Sequence, residues 1–144
     1  MGTRVFNFYD NFFLREANGQ FNFFADTIKA YLSNTSPSAS SHATLSQITE
    51  IATGGGYVQG TGLSVSVSGS LVSNGYNLTG SGTISIVATG NVPPFRYIIL
   101  GDSSTTGTPL IGWFDRGATL NLTEDDSYTI SIDGIVLYRK QRAA

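Results

Sequence analysis

Apolar and polar positions change period along this chain, and the changes mark its elements. Residues 4–17, RVFNFYDNFFLREA, place Val5, Phe6, Phe8, Tyr9, Phe12, Phe13 and Ala17 at helical spacing, with Asn7, Asp10, Asn11 and Arg15 opposite. The pattern predicts an amphipathic helix over about 4–17, closed by Asn18-Gly19, where glycine accepts the left-handed conformation. From Gln20 to Leu32 the composition turns strand-like, with Ile28, Ala30 and Leu32 on one face and Lys29 and Tyr31 on the other. Residues 33–44 are polar, SNTSPSASSHAT, and predict a loop long enough to be mobile or to make contacts. Residues 45–52 suit a short helix or a strand, with Ser46 and Thr49-Glu50 as weak capping chemistry.

The period-two pattern is cleanest over 63–72, LSVSVSGSLV, where Leu63, Val65 and Val67 turn inward, serines turn outward, and Gly69 marks a bulge or bend. Asn74-Gly75 is a favoured hairpin dipeptide, and short strands follow over 76–78 and 83–88, broken by Gly80-Ser81-Gly82. The centre of the design is 91–117. Pro93-Pro94 stiffens entry into Phe95–Leu100, a polar break begins at Gly101-Asp102, and Thr108-Pro109 leads into Leu110–Phe114. These residues predict a long-looped core hairpin built on Phe95, Tyr97, Ile99, Ile111 and Trp113, with Tyr97 and Trp113 as cross-strand neighbours. Alternation returns over 118–122, 128–132 and 135–138, separated by turns at Glu124-Asp125-Asp126 and Asp133-Gly134. The expected fold is mainly β: seven to nine short strands in a single antiparallel β-sandwich or compact barrel, with one N-terminal amphipathic helix. One domain spans 1–144, with a β body over about 20–138 and a basic tail over 139–144.

Composition narrows the chemistry. Charged residues make up 12% of the chain and the net charge is −2, so nothing steers it electrostatically towards nucleic acid. The absence of cysteine excludes disulfides, thiolate metal sites and cysteine nucleophiles. Asp10, Asn11, Arg15 and Glu16 interrupt the aromatic start, which does not resemble a signal peptide. Phe6 stands where a myristoylation motif needs Ser or Thr, and no window reaches the roughly 20 apolar residues of a membrane span. The expectation is a soluble protein made in a cytoplasm, with no membrane partner. Sequons at Asn34, Asn77 and Asn121 would matter only on a secretory route.

No motif argues for catalysis. His42 is the single histidine and has no cysteine or second histidine to form a metal site or nucleophile pair, so local hydrogen bonding in its loop is expected. The glycines at 54–56, 60 and 62 lack the lysine and spacing of a phosphate loop and are expected to serve tight turns. Asp102, Asp115 and Glu124-Asp125-Asp126 are the carboxylates to test as a glycosidase pair, which needs two carboxyls ~5–10 Å apart. Asp102 and the acidic cluster suit turns, and Asp115 suits an ion pair with Arg96 across the hairpin. No enzymatic activity, cofactor or metal is expected.

Ordered stretches along the chain resemble a family of small tailed-bacteriophage virion proteins, the capsid decoration or cement proteins. They are Phe8–Phe12, Asp26–Leu32, His42-Ala43, Ile48–Ile51, Gly56-Tyr57, Pro94–Tyr97 and Pro109–Asp115. The resemblance implies a β-rich module on the outer capsid surface that bridges major capsid protein subunits and stabilises the head against internal DNA pressure. It implies copies of itself as further partners, as a trimer or another capsid-axis oligomer. Candidate contacts are Arg4, Phe6 and Phe8 near the N-terminus, Ser36, Pro37 and His42 in the loop, and Arg139, Lys140 and Arg142 in the tail. Leu63 to Gly82 departs from what the resemblance covers. A tail-fibre or head-fibre module, with Tyr57, Tyr76 and Trp113 on a sugar-binding face, is the alternative, and a glycan hydrolase is a remote one.

Overall fold

The computed structural model describes residues 5–22, 25–73 and 75–141. The chain is mainly β, built from antiparallel sheets with no closed barrel, in a sandwich-like arrangement. Ten strands and one α-helix occur among the described residues.

The first layer is a five-stranded sheet in the order β1-β8-β7-β2-β3, formed by β1 (Phe6–Phe8), β2 (Ile28–Ser33), β3 (Leu63–Ser64), β7 (Val92–Asp102) and β8 (Leu110–Leu122). The core hairpin is therefore its centre, as its aromatic and β-branched composition predicts. Both faces of β7 are covered. Ile98 and Leu100 enter the main core, while Tyr97 and Ile99 join Tyr9 and Leu110 in a second cluster on the far side. Two-sided burial also explains why Tyr31 on β2 is buried although alternation put it opposite Ile28, Ala30 and Leu32.

The second layer contains β4 (Ser66–Val72), β5 (Gly75–Ser81), β6 (Thr83–Val87), β9 (Ser127–Ser131) and β10 (Val136–Gln141). β5 and β6 follow each other across Gly82, whose φ of +75° makes the bend, and β9 and β10 pair with them antiparallel. Leu78, Ile84, Ile86, Ile130, Ile132 and Leu137 from this layer meet Phe95, Ile98 and Leu122 from the first in one buried cluster. No helix among the described residues is long and apolar enough to cross a membrane.

Several expectations are corrected. The helix over 4–17 is shorter: α1 spans Asp10–Ala17, while Phe6 and Phe8 lie in β1, opposite Phe114 and Gly112 of β8. Phe6 and Phe8 satisfy a period of two as well as a helical one, and pairing with β8 decides between them. Strand structure in the 20–32 stretch begins only at Ile28, and Phe23 lies outside the described residues. Residues 45–47 form a 3₁₀ turn with its capping box on Thr44 and Gln47, not on Ser46 and Thr49-Glu50. Trp113 stands opposite Ile99, and Tyr97 opposite Asp115, so the two rings are diagonal rather than directly paired. Residues 118–122 continue β8 beyond a bend at Gly117, φ +94°, instead of forming a separate strand.

Gly69 makes no bulge. β4 and β5 keep an unbroken register from Ser66↔Ser81 to Val72↔Gly75, and a side chain on Gly69 would collide with the Tyr76 phenol. The expected turn residue Asn74 lies outside the described residues, but the Val72↔Gly75 pair closes the hairpin around it. The basic tail is strand as far as Gln141: Arg139 and Lys140 sit in β10 opposite Asn77 and Tyr76.

Candidate functional site

Three places hold candidate chemistry. The first is the end of the core hairpin. Asp102 terminates β7, has no exposed surface, and makes the local backbone hydrogen bond to the following turn that was expected of it. Its Oδ1 accepts from the Ser104 amide at 3.0 Å and its Oδ2 from the Thr105 hydroxyl at 3.3 Å. Burial first, and then a hydrogen bond with the Asp26 carboxyl, push the Asp102 carboxyl up to about 7. Neighbouring bonds bind the same two segments: the Thr27 amide donates to Ser104 Oγ at 2.7 Å, and Ser103 donates to the Thr27 carbonyl through its amide at 3.0 Å and its hydroxyl at 3.1 Å. The arrangement is a clasp that fixes the hairpin loop to the entry of β2.

The second place is the middle of the hairpin. Arg96 and Asp115 form a two-pronged ion pair, Nε–Oδ1 at 2.8 Å and Nη2–Oδ2 at 3.1 Å, as the hairpin spacing predicts. The Arg96 guanidinium beside Asp115 holds that carboxyl below its ordinary value, and the Gly117 amide adds to the effect. Asp115 lies opposite Tyr97, five residues along β7 from Asp102. At ~3.3 Å per residue their backbone positions are about 16 Å apart along the strand, a separation beyond glycosidase spacing. In the Glu124-Asp125-Asp126 turn, Asp126 accepts from the amide and hydroxyl of Thr123, both at 3.0 Å. Among the described residues no three His, Cys, Asp or Glu side chains group to hold a metal.

The third place is an open cleft of about 500 Å³ lined by Leu45, Ser46, Ile48, Glu50, Gln59, Gly60, Gly107 and Thr108. Gly55 and Gly56, both with positive φ, turn the chain so that residues 57–60 come back past Glu50. The Glu50 carboxylate accepts from the Gly60 amide (3.0 and 2.9 Å to its two oxygens) and from the Tyr57 hydroxyl. Tyr57 is fully buried, and its hydroxyl accepts in turn from the Leu32 amide at 3.0 Å. Burial and the Glu50 hydrogen bond raise the Tyr57 phenol far above its ordinary value. This buttress was missed by the sequence reading. The signal available was the Gly54-Gly55-Gly56 bend, which brings two segments together.

The candidate contact residues do not form one patch. Phe6 and Phe8 are half-buried; the Phe6 ring meets Phe114 at 4.9 Å and the Phe8 ring stacks on Phe12 at 5.6 Å. Ser36 is exposed, Pro37 is half-buried, and His42 accepts from the Ser38 amide at 3.2 Å through Nδ1, the local bond expected of it. Arg4 and Arg142 lie outside the described residues, and Arg139 and Lys140 are placed by backbone pairing alone. Of the three rings considered for a sugar-binding face, Tyr57 is buried, Trp113 is half-buried against Tyr9 at 4.8 Å, and Tyr76 lies in the other layer over Gly69. They share no surface.

The stretches at 8–12, 26–32, 42–43, 48–51, 56–57, 94–97 and 109–115 converge. Phe8 pairs with Gly112, the Tyr9 amide donates to the Ile111 carbonyl, and the Leu110 amide donates to Ala43. The Ile51 amide donates to Leu32, Tyr57 bridges Leu32 and Glu50, and Tyr97 pairs with Asp115. Together they contribute to β1, β2, β7 and β8 of the five-stranded layer and to the loops on it. The segment that the resemblance leaves out, 63–82, supplies β3, β4 and β5. No protein-family model, curated protein or solved structure matches the chain.

Proposed function

We propose that this protein is a non-enzymatic bacteriophage virion component, a capsid decoration or cement protein. It binds the outer capsid surface and bridges major capsid protein subunits, and so stabilises the head. The observation that carries this reading is the convergence of the resembling stretches on one body: residues scattered from Phe8 to Asp115 in sequence form one contiguous layer. A cement protein works through shape and many weak contacts repeated over a lattice, so it needs a firm body and no reactive centre. The carboxylates fit that requirement, since Asp102, Asp115, Asp126 and Glu50 are each held by hydrogen bonds within the fold.

The test is to incubate purified protein with undecorated capsids of its phage and pellet them. Saturable co-pelleting at a fixed ratio to the major capsid protein is expected, with greater resistance of the capsids to heat or chelation. Protein that stays in the supernatant at every ratio overturns the reading.

A further inference from the structure

We propose that β4 is a self-pairing seam, through which two copies of this chain join antiparallel across a two-fold axis at Gly69. The proposal stands apart from the virion reading and does not depend on it.

A sheet edge presents unpaired backbone donors and acceptors, and proteins ordinarily blunt it with short strands, charges, prolines or bulges. The other sheet edges among the described residues are shorter, β9 having five residues. β1 and β3 have three and two residues, and β10 carries Arg139 and Lys140 in its sequence. β6 has five residues and lies beside β3. β4 is the longest edge strand among the described residues, with seven residues and an unbroken register to β5. It has no charge, no proline and no bulge. The whole stretch from Ile51 to Phe95, 45 residues, contains no Asp, Glu, Lys, Arg or His. All of β4 except Val67 is exposed, and Leu71 is 85% exposed.

The sequence of β4 fits a copy of itself. Centring an antiparallel pair on Gly69 matches Val67 with the copy's Leu71 and Ser68 with its Ser70, and it uses all seven residues. Val67, Gly69 and Leu71 share the face on which β5 sets Gly80, Leu78 and Tyr76 opposite them. That face is buried at Leu78 and Gly80 and becomes exposed towards Leu71. Pairing continues the apolar face from one copy into the next and covers Leu71. At the axis Gly69 meets Gly69 with no side chain between the backbones, and the Tyr76 ring of each copy fills the space above its own Gly69. An uncharged edge meets its own copy without the like-charge repulsion that a two-fold axis otherwise imposes.

Sedimentation of the full chain, up to about 1 mM, the weak end of specific association, tests this. The wild type is expected to reach twice the single-chain mass. Ser68→Lys/Ser70→Lys sets lysines opposite each other and is expected to keep the far-ultraviolet spectrum but lose the dimer, as is Ser68→Glu/Ser70→Glu. Mixing the two variants is expected to restore a twofold mass. If the double variant fails to fold, Ser66→Lys/Val72→Lys, which sets lysines opposite each other at the outer matched pair, gives the same readout. A wild type that stays monomeric, a lysine variant that keeps the wild-type mass, a threefold mass, or a mixture that does not recover would each overturn the proposal.

Discussion

At the scale of single residues, two positions set sharp constraints. Gly112 sits in β8 between Phe8 and Leu100 in the register, and a methyl there would fall on the Asn7 carbonyl oxygen and the Phe6 ring. Gly112→Ala must therefore push β1 off the sheet, and a loss of about 1–3 kcal/mol in urea unfolding is expected. Gly90→Ala is the control: its added carbon would meet only the Gly55 Cα at 3.8 Å, and a change within about 0.5 kcal/mol is expected. Asp102 governs a pH dependence. Its folded carboxyl is raised towards about 7 from an ordinary value near 3.8, so the folded state holds a proton that the unfolded chain releases. That contribution is fully present below the unfolded value and is lost as pH rises through the folded one. Thermal melts at about pH 5 and about pH 8 should show a lower midpoint at the higher pH. Asp102→Asn keeps the acceptor for Ser104 and offers Asp26 a donor, so it should flatten that difference. An unchanged difference in the variant would refute the assignment.

At the scale of elements, the loop over 53–60 is fixed to β2 by one hydroxyl. Tyr57→Phe leaves the packing volume but orphans the buried Leu32 amide and removes a donor to Glu50. A loss on the order of 1–3 kcal/mol is expected, together with faster amide exchange at Leu32 and Gly60. Elements of this chain were legible in the sequence where local chemistry decides them. Pro93-Pro94 and the β-branched run after it announce β7, Asn74-Gly75 announces the β4–β5 hairpin, and opposite charges on the two arms of one hairpin announce the Arg96–Asp115 pair. What the sequence hid depends on distant partners. β1 exists because β8, more than 100 residues later, pairs with it, and its phenylalanines fit a helical period equally well. The Asp26–Asp102 contact and the Glu50–Tyr57–Leu32 chain join segments whose proximity no local pattern encodes. Tyr31 and Tyr97 are buried because both faces of the five-stranded sheet are covered, whereas alternation assumes one wet face.

At the scale of the molecule, the layers differ in character. The five-stranded layer is covered on both faces at its central strands and holds its carboxylates in internal bonds. The layer containing β4 and β5 is hydroxyl-rich, carries no charge on either strand, and presents an open edge. In the proposed role the first layer holds a shape and the second meets a second copy. A decoration protein acts by coverage, so the proposed role fixes a copy number in the virion, and that number separates head from tail. Quantitative mass spectrometry of purified virions tests this most directly. Copies on the same order as the major capsid protein are expected; a handful of copies per particle, or none, would contradict the proposed role.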